Sequence, residues 1–170
     1  MENFNFGLDL TFSMRCHICG RKGAIFLPYL GKWLCEKHFL RMVRKRFGSN
    51  LRRFFKKGEA LSLPKGKTLP EVVLRKLMEG KPFRFSRGRK VKADYLEKIA
   101  NDILLSLFEG KFPKVILKDK PLYNFRYEEL KFFADLLGLK YKESYVRNEL
   151  VEEVVKYKPG ALFSLVGWFG

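Results

Sequence analysis

Three cysteines and one histidine fall at Cys16-x2-Cys19-x15-Cys35-x2-His38. Two ligands separated by two residues form a knuckle, and two knuckles brought together give four soft ligands in a tetrahedron, the geometry of structural Zn2+. Four protein ligands leave no position open for water, so the expected ion is structural rather than catalytic. The motif consumes every cysteine in the chain. Thiolates hold zinc in a reducing compartment without any disulfide, which points to a cytoplasmic protein. His17, the only other histidine, lies inside the first knuckle and is expected on the surface, while Gly20 suits the tight turn after Cys19.

A second chemistry is written in the charge. The 170 residues carry a net charge of +17, with 35 Lys and Arg against 18 Asp and Glu. Residues 37–92 hold 19 of those bases and only three acids, Glu59, Glu71 and Glu79, whereas residues 93–170 balance at 12 of each. Solubility does not require such an asymmetry, and a polyanionic partner explains it. Nucleic acid, RNA or DNA, is the favoured one. The candidates are Arg41, Arg44, Lys45, Arg46, Arg52, Arg53, Lys56 and Lys57, with Arg84, Arg87, Arg89 and Lys90 as a second cluster. Bases alternate here with Phe47, Phe54, Phe55, Phe83 and Phe85. Aromatic faces can stack on unpaired nucleobases, although packing in the core is the commoner use of phenylalanine.

Composition excludes several classes. A chain that is 46% hydrophobic, with 17 Phe and 7 Tyr, can bury enough apolar surface to fold. No run approaches a membrane span, and the first 15 residues do not read as a signal peptide. Glutamine is absent, and lysine and glutamate are abundant, a bias of proteins from hot environments.

The elements that must position these residues follow from periodicity. A helix is expected over residues 36–47, carrying the second knuckle into the basic stretch, with Gly48-Ser49-Asn50 as its interruption. Residues 58–69 read as a loop. Pro70 opens a helix over 71–79 that Gly80 stops, and 80–92 reads as a basic connection. Asp94-x2-Glu97 has the form of a capping box ahead of a helix to Gly110. Val115-Ile116-Leu117 predicts a strand, residues 127–137 a helix ended by Gly138, residues 146–157 another helix, and 161–166 a last strand. Strands alternating with helices predict an α/β fold with a small sheet.

Cys16-His17-Ile18-Cys19-Gly20-Arg21-Lys22-Gly23-Ala24 and Gly31-Lys32-Trp33-Leu34-Cys35-Glu36-Lys37-His38-Phe39 resemble the N-terminal zinc finger of the tRNA 2-thiolation enzymes, adenylating sulfur transferases that modify a tRNA uridine. The run from Ala93 to Gly110 is similar to that family's helix after the catalytic centre. Lys120-Pro121-Leu122-Tyr123, the helix around Glu128-Glu129-Leu130, and Pro159-Gly160-Ala161-Leu162 resemble further parts of it. The resemblance implies an N-terminal zinc finger followed by a small, truncated Rossmann-like, PP-loop ATPase-like α/β domain. Its divisions would be residues 1–47, finger and basic helix; 48–92, basic linker with a degenerate nucleotide loop; and 93–170, small α/β domain.

The departures bear on activity. Where the family has an SGGxxS-type loop for ATP, this chain offers Lys65-Gly66-Lys67-Thr68 behind Pro64. Proline and lysine stand where small residues must let backbone amides approach pyrophosphate. Sulfur transfer in the family also needs cysteines beyond the finger, and none follows Cys35; Glu143-Ser144-Tyr145 replaces a Glu-Cys-Pro-Tyr run. The expected protein is therefore a zinc-containing binder of tRNA or other structured RNA without independent catalysis. A subunit that pairs with an active thiolation enzyme, or a ribosome-associated protein bound to rRNA, is the second expectation. Residual ATP chemistry through Lys65 and Lys67 with Asp94 or Asp102 is the third. No membrane partner is expected.

Overall fold

A computed structural model describes residues 14–169. The first unit is an antiparallel hairpin of β1 (Ile25–Leu27) and β2 (Lys32–Leu34), in register Ile25 to Leu34. Gly31 turns it at φ +61°, a conformation that favours glycine. Helix α1 (Glu36–Phe54) leaves directly from Cys35. Its apolar stripe, Phe39, Val43, Phe47 and Leu51, recurs every four residues and is buried.

Helix α1 does not break at Gly48-Ser49-Asn50, contrary to the sequence expectation. Asn50 is buried, and its amide nitrogen donates to Pro121 O and Asn124 Oδ1, both at 2.8 Å. Burial of Phe47 and Leu51 on either side adds to these bonds. Together they outweigh the roughly 1 kcal/mol that a helical glycine costs.

Strand β3 (Ala60–Ser62) follows, then α2 (Leu69–Met78). Pro70 sits in the first turn of α2, and Gly80 stops the chain beyond it at φ +69°. The stretch 80–92 is more than a connection. It holds β4 (Arg84–Phe85) and β5 (Arg89–Lys90), each pairing parallel to β3 in the order β4-β3-β5. Gly88 makes this possible, because a Cβ there would collide with the Ala60 carbonyl.

Helix α3 (Leu96–Phe108) is present, but Asp94 does not cap it; Tyr95 holds the capping position without a side-chain bond. Asp94 instead pairs with Lys98 and Lys120, and Glu97 accepts from Arg126 Nε at 3.2 Å and Tyr127 N at 3.0 Å. No strand forms at 115–117, where Leu117 is buried and Ile116 faces solvent. Helices α4 (Tyr127–Leu136) and α5 (Glu149–Tyr157) match expectation, with Gly138 at φ +61° after the first and the Asn148 side chain accepting from Leu150 N and Val151 N at the start of the second.

The final expected strand is helix α6 (Ala161–Phe169). A short continuous apolar run does not distinguish strand from buried helix by periodicity. Leu162 and Val166, one helical turn apart, decide it by packing with Leu96, Ile99 and Ile103 of α3 and Val151 of α5. A larger cluster joins the hairpin, α1, β3, α2 and α4. Phe54 touches both clusters. The fold is α/β, as expected, with small sheets.

Candidate metal centre and nucleic-acid interface

The hairpin and the start of α1 bring Cys16, Cys19, Cys35 and His38 together, with all four ligand atoms within 4.8 Å of one another. Cys19 Sγ lies 3.8 Å from Cys35 Sγ, and His38 Nδ1 lies 3.3 Å from Cys16 Sγ and 3.4 Å from Cys35 Sγ. A tetrahedron with metal–sulfur bonds of about 2.3 Å and a metal–nitrogen bond of about 2.0 Å has edges of about 3.5–3.8 Å. The four residues therefore fit one metal ion. Gly20, at φ +68°, closes the first knuckle with a bond from its N–H to Cys16 O of 2.8 Å. Although burial pushes the Cys16 thiol up, backbone hydrogen bonds at Cys35, Ile18 and Cys19 and the His38 contact bring it down to about 5. The thiolate that a metal requires is thus favoured. His17 stays outside the cluster, on the surface beside Lys32 Nζ at 3.0 Å.

The basic residues of α1 divide by face. Arg41, Arg44, Lys45, Arg52 and Arg53 are exposed, as are Lys56 and Lys57 just beyond the helix. Arg46 points inward. Its guanidinium binds both Glu129 oxygens at 2.9 and 3.0 Å and Asn124 O at 3.2 Å, contacts the Tyr29 hydroxyl, and lies 5.0 Å from the Phe125 ring centre. Tyr29 also donates to Glu129 Oε1 at 2.7 Å, so one network ties the hairpin turn, α1 and α4 together. Phe47 and Phe55 are buried and Phe54 is half-buried, the ordinary use of phenylalanine.

Of the second cluster, Arg84, Arg87 and Lys90 are exposed. Arg89 is half-buried, donating to Phe54 O at 2.9 Å and to Lys118 O, and pairing with Glu59 at 3.4 Å. Exposed Phe85 lies among Lys65, Arg75 and Arg87 in a shallow pocket of about 420 Å³.

The Lys65-Gly66-Lys67-Thr68 loop is engaged with the protein itself. Thr68 N and its hydroxyl both donate to Glu71 Oε2, at 3.2 and 2.6 Å. Leu69 N donates to Lys142 O at 3.0 Å, and Lys142 N returns a bond to Lys67 O at 2.7 Å. A Cβ on Gly66 would collide with the Glu71 carboxylate. Lys65 and Lys67 are exposed. Beside the loop, a cavity of about 550 Å³ is lined by Thr68, Glu71, Lys92, Asp94, Lys98 and Ser144. Asp102 is exposed on α3 and does not line that cavity.

Sequence reasoning missed a groove of about 690 Å³ between the knuckles, α1 and the 123–124 turn. Arg41, Lys45, Ser49 and Arg53 form one wall, with Tyr123 and Asn124 opposite and His38 and Ile18 beside the metal site. The four α1 residues recur at i+4, a signal visible in the sequence once the helix is carried through Gly48.

Residues 15–40 match the family described as 2-thiouridine synthetase TtuA, N-terminal LIM domain. No curated protein matches the chain. Among solved structures, the U34-tRNA thiolase NcsA from Methanococcus maripaludis with its [4Fe-4S] cluster is similar, with a TM-score of 0.72 and 15% identity over 92% of this chain and 87% of that one. The resemblance to tRNA-thiolation enzymes is thus carried at the metal-binding N-terminus by sequence and over nearly the whole chain by fold.

Proposed function

We propose that this chain is a non-catalytic relative of the tRNA-thiolation enzymes that carries one structural zinc ion and binds tRNA or another structured RNA. The observation that carries this reading is the contrast between its two surfaces. Exposed Arg41, Arg44, Lys45, Arg52, Arg53, Lys56 and Lys57 leave a continuous supply of cations beside the metal module. The nucleotide loop, by contrast, has the Thr68 and Leu69 amides already bonded and a carboxylate set against Gly66. A phosphate there would meet the Glu71 carboxylate and find the Thr68 and Leu69 amides already taken, leaving the exposed Lys65 and Lys67 as point charges without a backbone cradle.

Zinc is favoured over an iron–sulfur cluster by the ligand spacing. A cluster takes thiolates on separate irons, whereas these ligand atoms crowd around a single point. NcsA holds a [4Fe-4S] cluster, but every cysteine of this chain belongs to the knuckles. Arg84, Arg87 and Lys90 serve as a second phosphate contact, and Arg46 and Arg89 support the fold beneath the two clusters.

Two assays with the purified, zinc-loaded chain test the reading. Total tRNA should bind in a filter assay, and the same tRNA with ATP should release no pyrophosphate. Release of pyrophosphate dependent on tRNA would overturn the non-catalytic half, and absence of RNA binding would overturn the other.

The α3–α6 end supports a second function, the docking of a protein partner. Phe108, Phe112 and Trp168 are exposed at the α3–α6 end, with Trp168 88% accessible, and such a patch suits a protein partner. A partner such as an active thiolation enzyme or the ribosome would then co-purify from native extract. Recovery of free tRNA alone contradicts it.

A further inference from the structure

We infer that the groove along α1 takes an unpaired RNA strand, and that the metal ligand His38 donates a hydrogen bond to that strand through its second ring nitrogen. The inference rests on the RNA-binding reading above and names where and in what form the RNA is held.

The groove has the parts that an unpaired strand needs. Arg41, Lys45 and Arg53 are exposed, and none forms an ion pair among the described residues. Along the helix Arg41 and Lys45 are about 6 Å apart and Lys45 and Arg53 about 12 Å, so these cations form a row that can follow a phosphate backbone. Across from them stands Tyr123, braced edge-on against Phe54 with ring centres 5.6 Å apart and its hydroxyl 3.4 Å from Arg53. Ile18, 60% accessible, adds an apolar surface at the knuckle end. A base can pack against these groups while the exposed Ser49 hydroxyl offers a polar atom to its edge. A groove of about 690 Å³ is large enough to seat nucleotides.

His38 couples this groove to the metal. Its Nδ1 faces the cysteine sulfurs at 3.3 and 3.4 Å, so a bound ion takes Nδ1 and leaves the proton on Nε2. Metal-bound imidazoles nearly always donate that second N–H to a carboxylate, a carbonyl or water. Among the described residues, nothing accepts a bond from His38 Nε2, and His38 lines the groove. A phosphate oxygen there would complete the imidazole's hydrogen bonding. The metal then fixes the donor's tautomer and orientation as well as the fold of the knuckles.

The test uses the full zinc-loaded chain, a fluorescent short oligouridylate and an RNA duplex of the same length, with binding followed by anisotropy. The single strand should bind more tightly than the duplex. Reversing Arg41 and Lys45 together, R41E with K45E, should weaken the single strand by more than about tenfold, and the exposed pair R84E with R87E should weaken it less. Unchanged affinity in R41E/K45E with a loss in R84E/R87E overturns the groove but leaves the RNA-binding reading standing. Failure of the wild-type chain to bind either RNA overturns both. For His38, the Nε2–H resonance of the wild-type protein should shift when oligouridylate is added, and H38C, with zinc content confirmed, should bind about tenfold more weakly. An Nε2–H resonance that does not move overturns the His38 contact.

Discussion

The Arg46 guanidinium grips the Glu129 carboxylate at 2.9 Å, and Glu129 is almost wholly buried. Arg46 was one of eight similar-looking bases in the sequence, yet it holds the fold together. Burial disfavours its charge, but Glu129 beside it more than compensates and holds the guanidinium protonated. Arg46→Met should therefore destabilise the protein by about 3 kcal/mol, because it leaves Glu129 buried without its partner. Urea unfolding checks this. The loss should be several times that of Arg44→Met, since Arg44 is exposed and unpaired among the described residues.

Removing the metal should unfold the knuckles first. The hairpin is only two strands of three residues, too short to hold itself in water. Chelation, or Cys16→Ser, should collapse amide dispersion for residues 15–35 and lower the unfolding midpoint. Elemental analysis should find about one zinc per chain and no acid-labile sulfide.

Gly66→Ala probes the closed loop. The added methyl meets the Glu71 carboxylate, whose bonds to Thr68 it must displace. A loss of about 1–3 kcal/mol is expected by thermal or urea unfolding. Unchanged stability would mean that Glu71 leaves Gly66 readily and that the loop is more open than its hydrogen bonds imply.

Acid should weaken the fold partly through Asp94. Burial raises the cost of its charge, but the hydrogen bond and charge of Lys98, with Lys120 behind them, hold the carboxyl below the usual carboxylate range. A lowered folded value means that this contribution is complete above the unfolded value of about 3.9 and is lost as pH falls through the folded value. Asp94→Asn should be less stable than wild type at neutral pH. The gap should narrow at the acid end of a pH series of unfolding midpoints.

The convergence of Cys16, Cys19, Cys35 and His38 was legible in the sequence, because it depends on residue type and spacing. Helices α2 and α4 were legible for a related reason, with Pro70, Gly80 and Gly138 marking their ends locally. What sequence did not reveal was decided by distant partners. Asn50 keeps α1 intact by reaching Pro121 and Asn124, and the break expected at Gly48 hid the i+4 line from Arg41 to Arg53. Helix α6 owes its form to α3, and the inward turn of Arg46 to Glu129, 83 residues away.

The most direct measurement of whether this surface grips RNA is the affinity for an unpaired RNA as a function of salt. Four phosphates neutralised, by Arg41, Lys45 and Arg53 with one neighbour, give a slope of about −3 in log K against log salt. R41E/K45E should flatten it by about 1 or more. A wild-type slope near zero, or one that the double reversal leaves unchanged, would contradict RNA binding at this face.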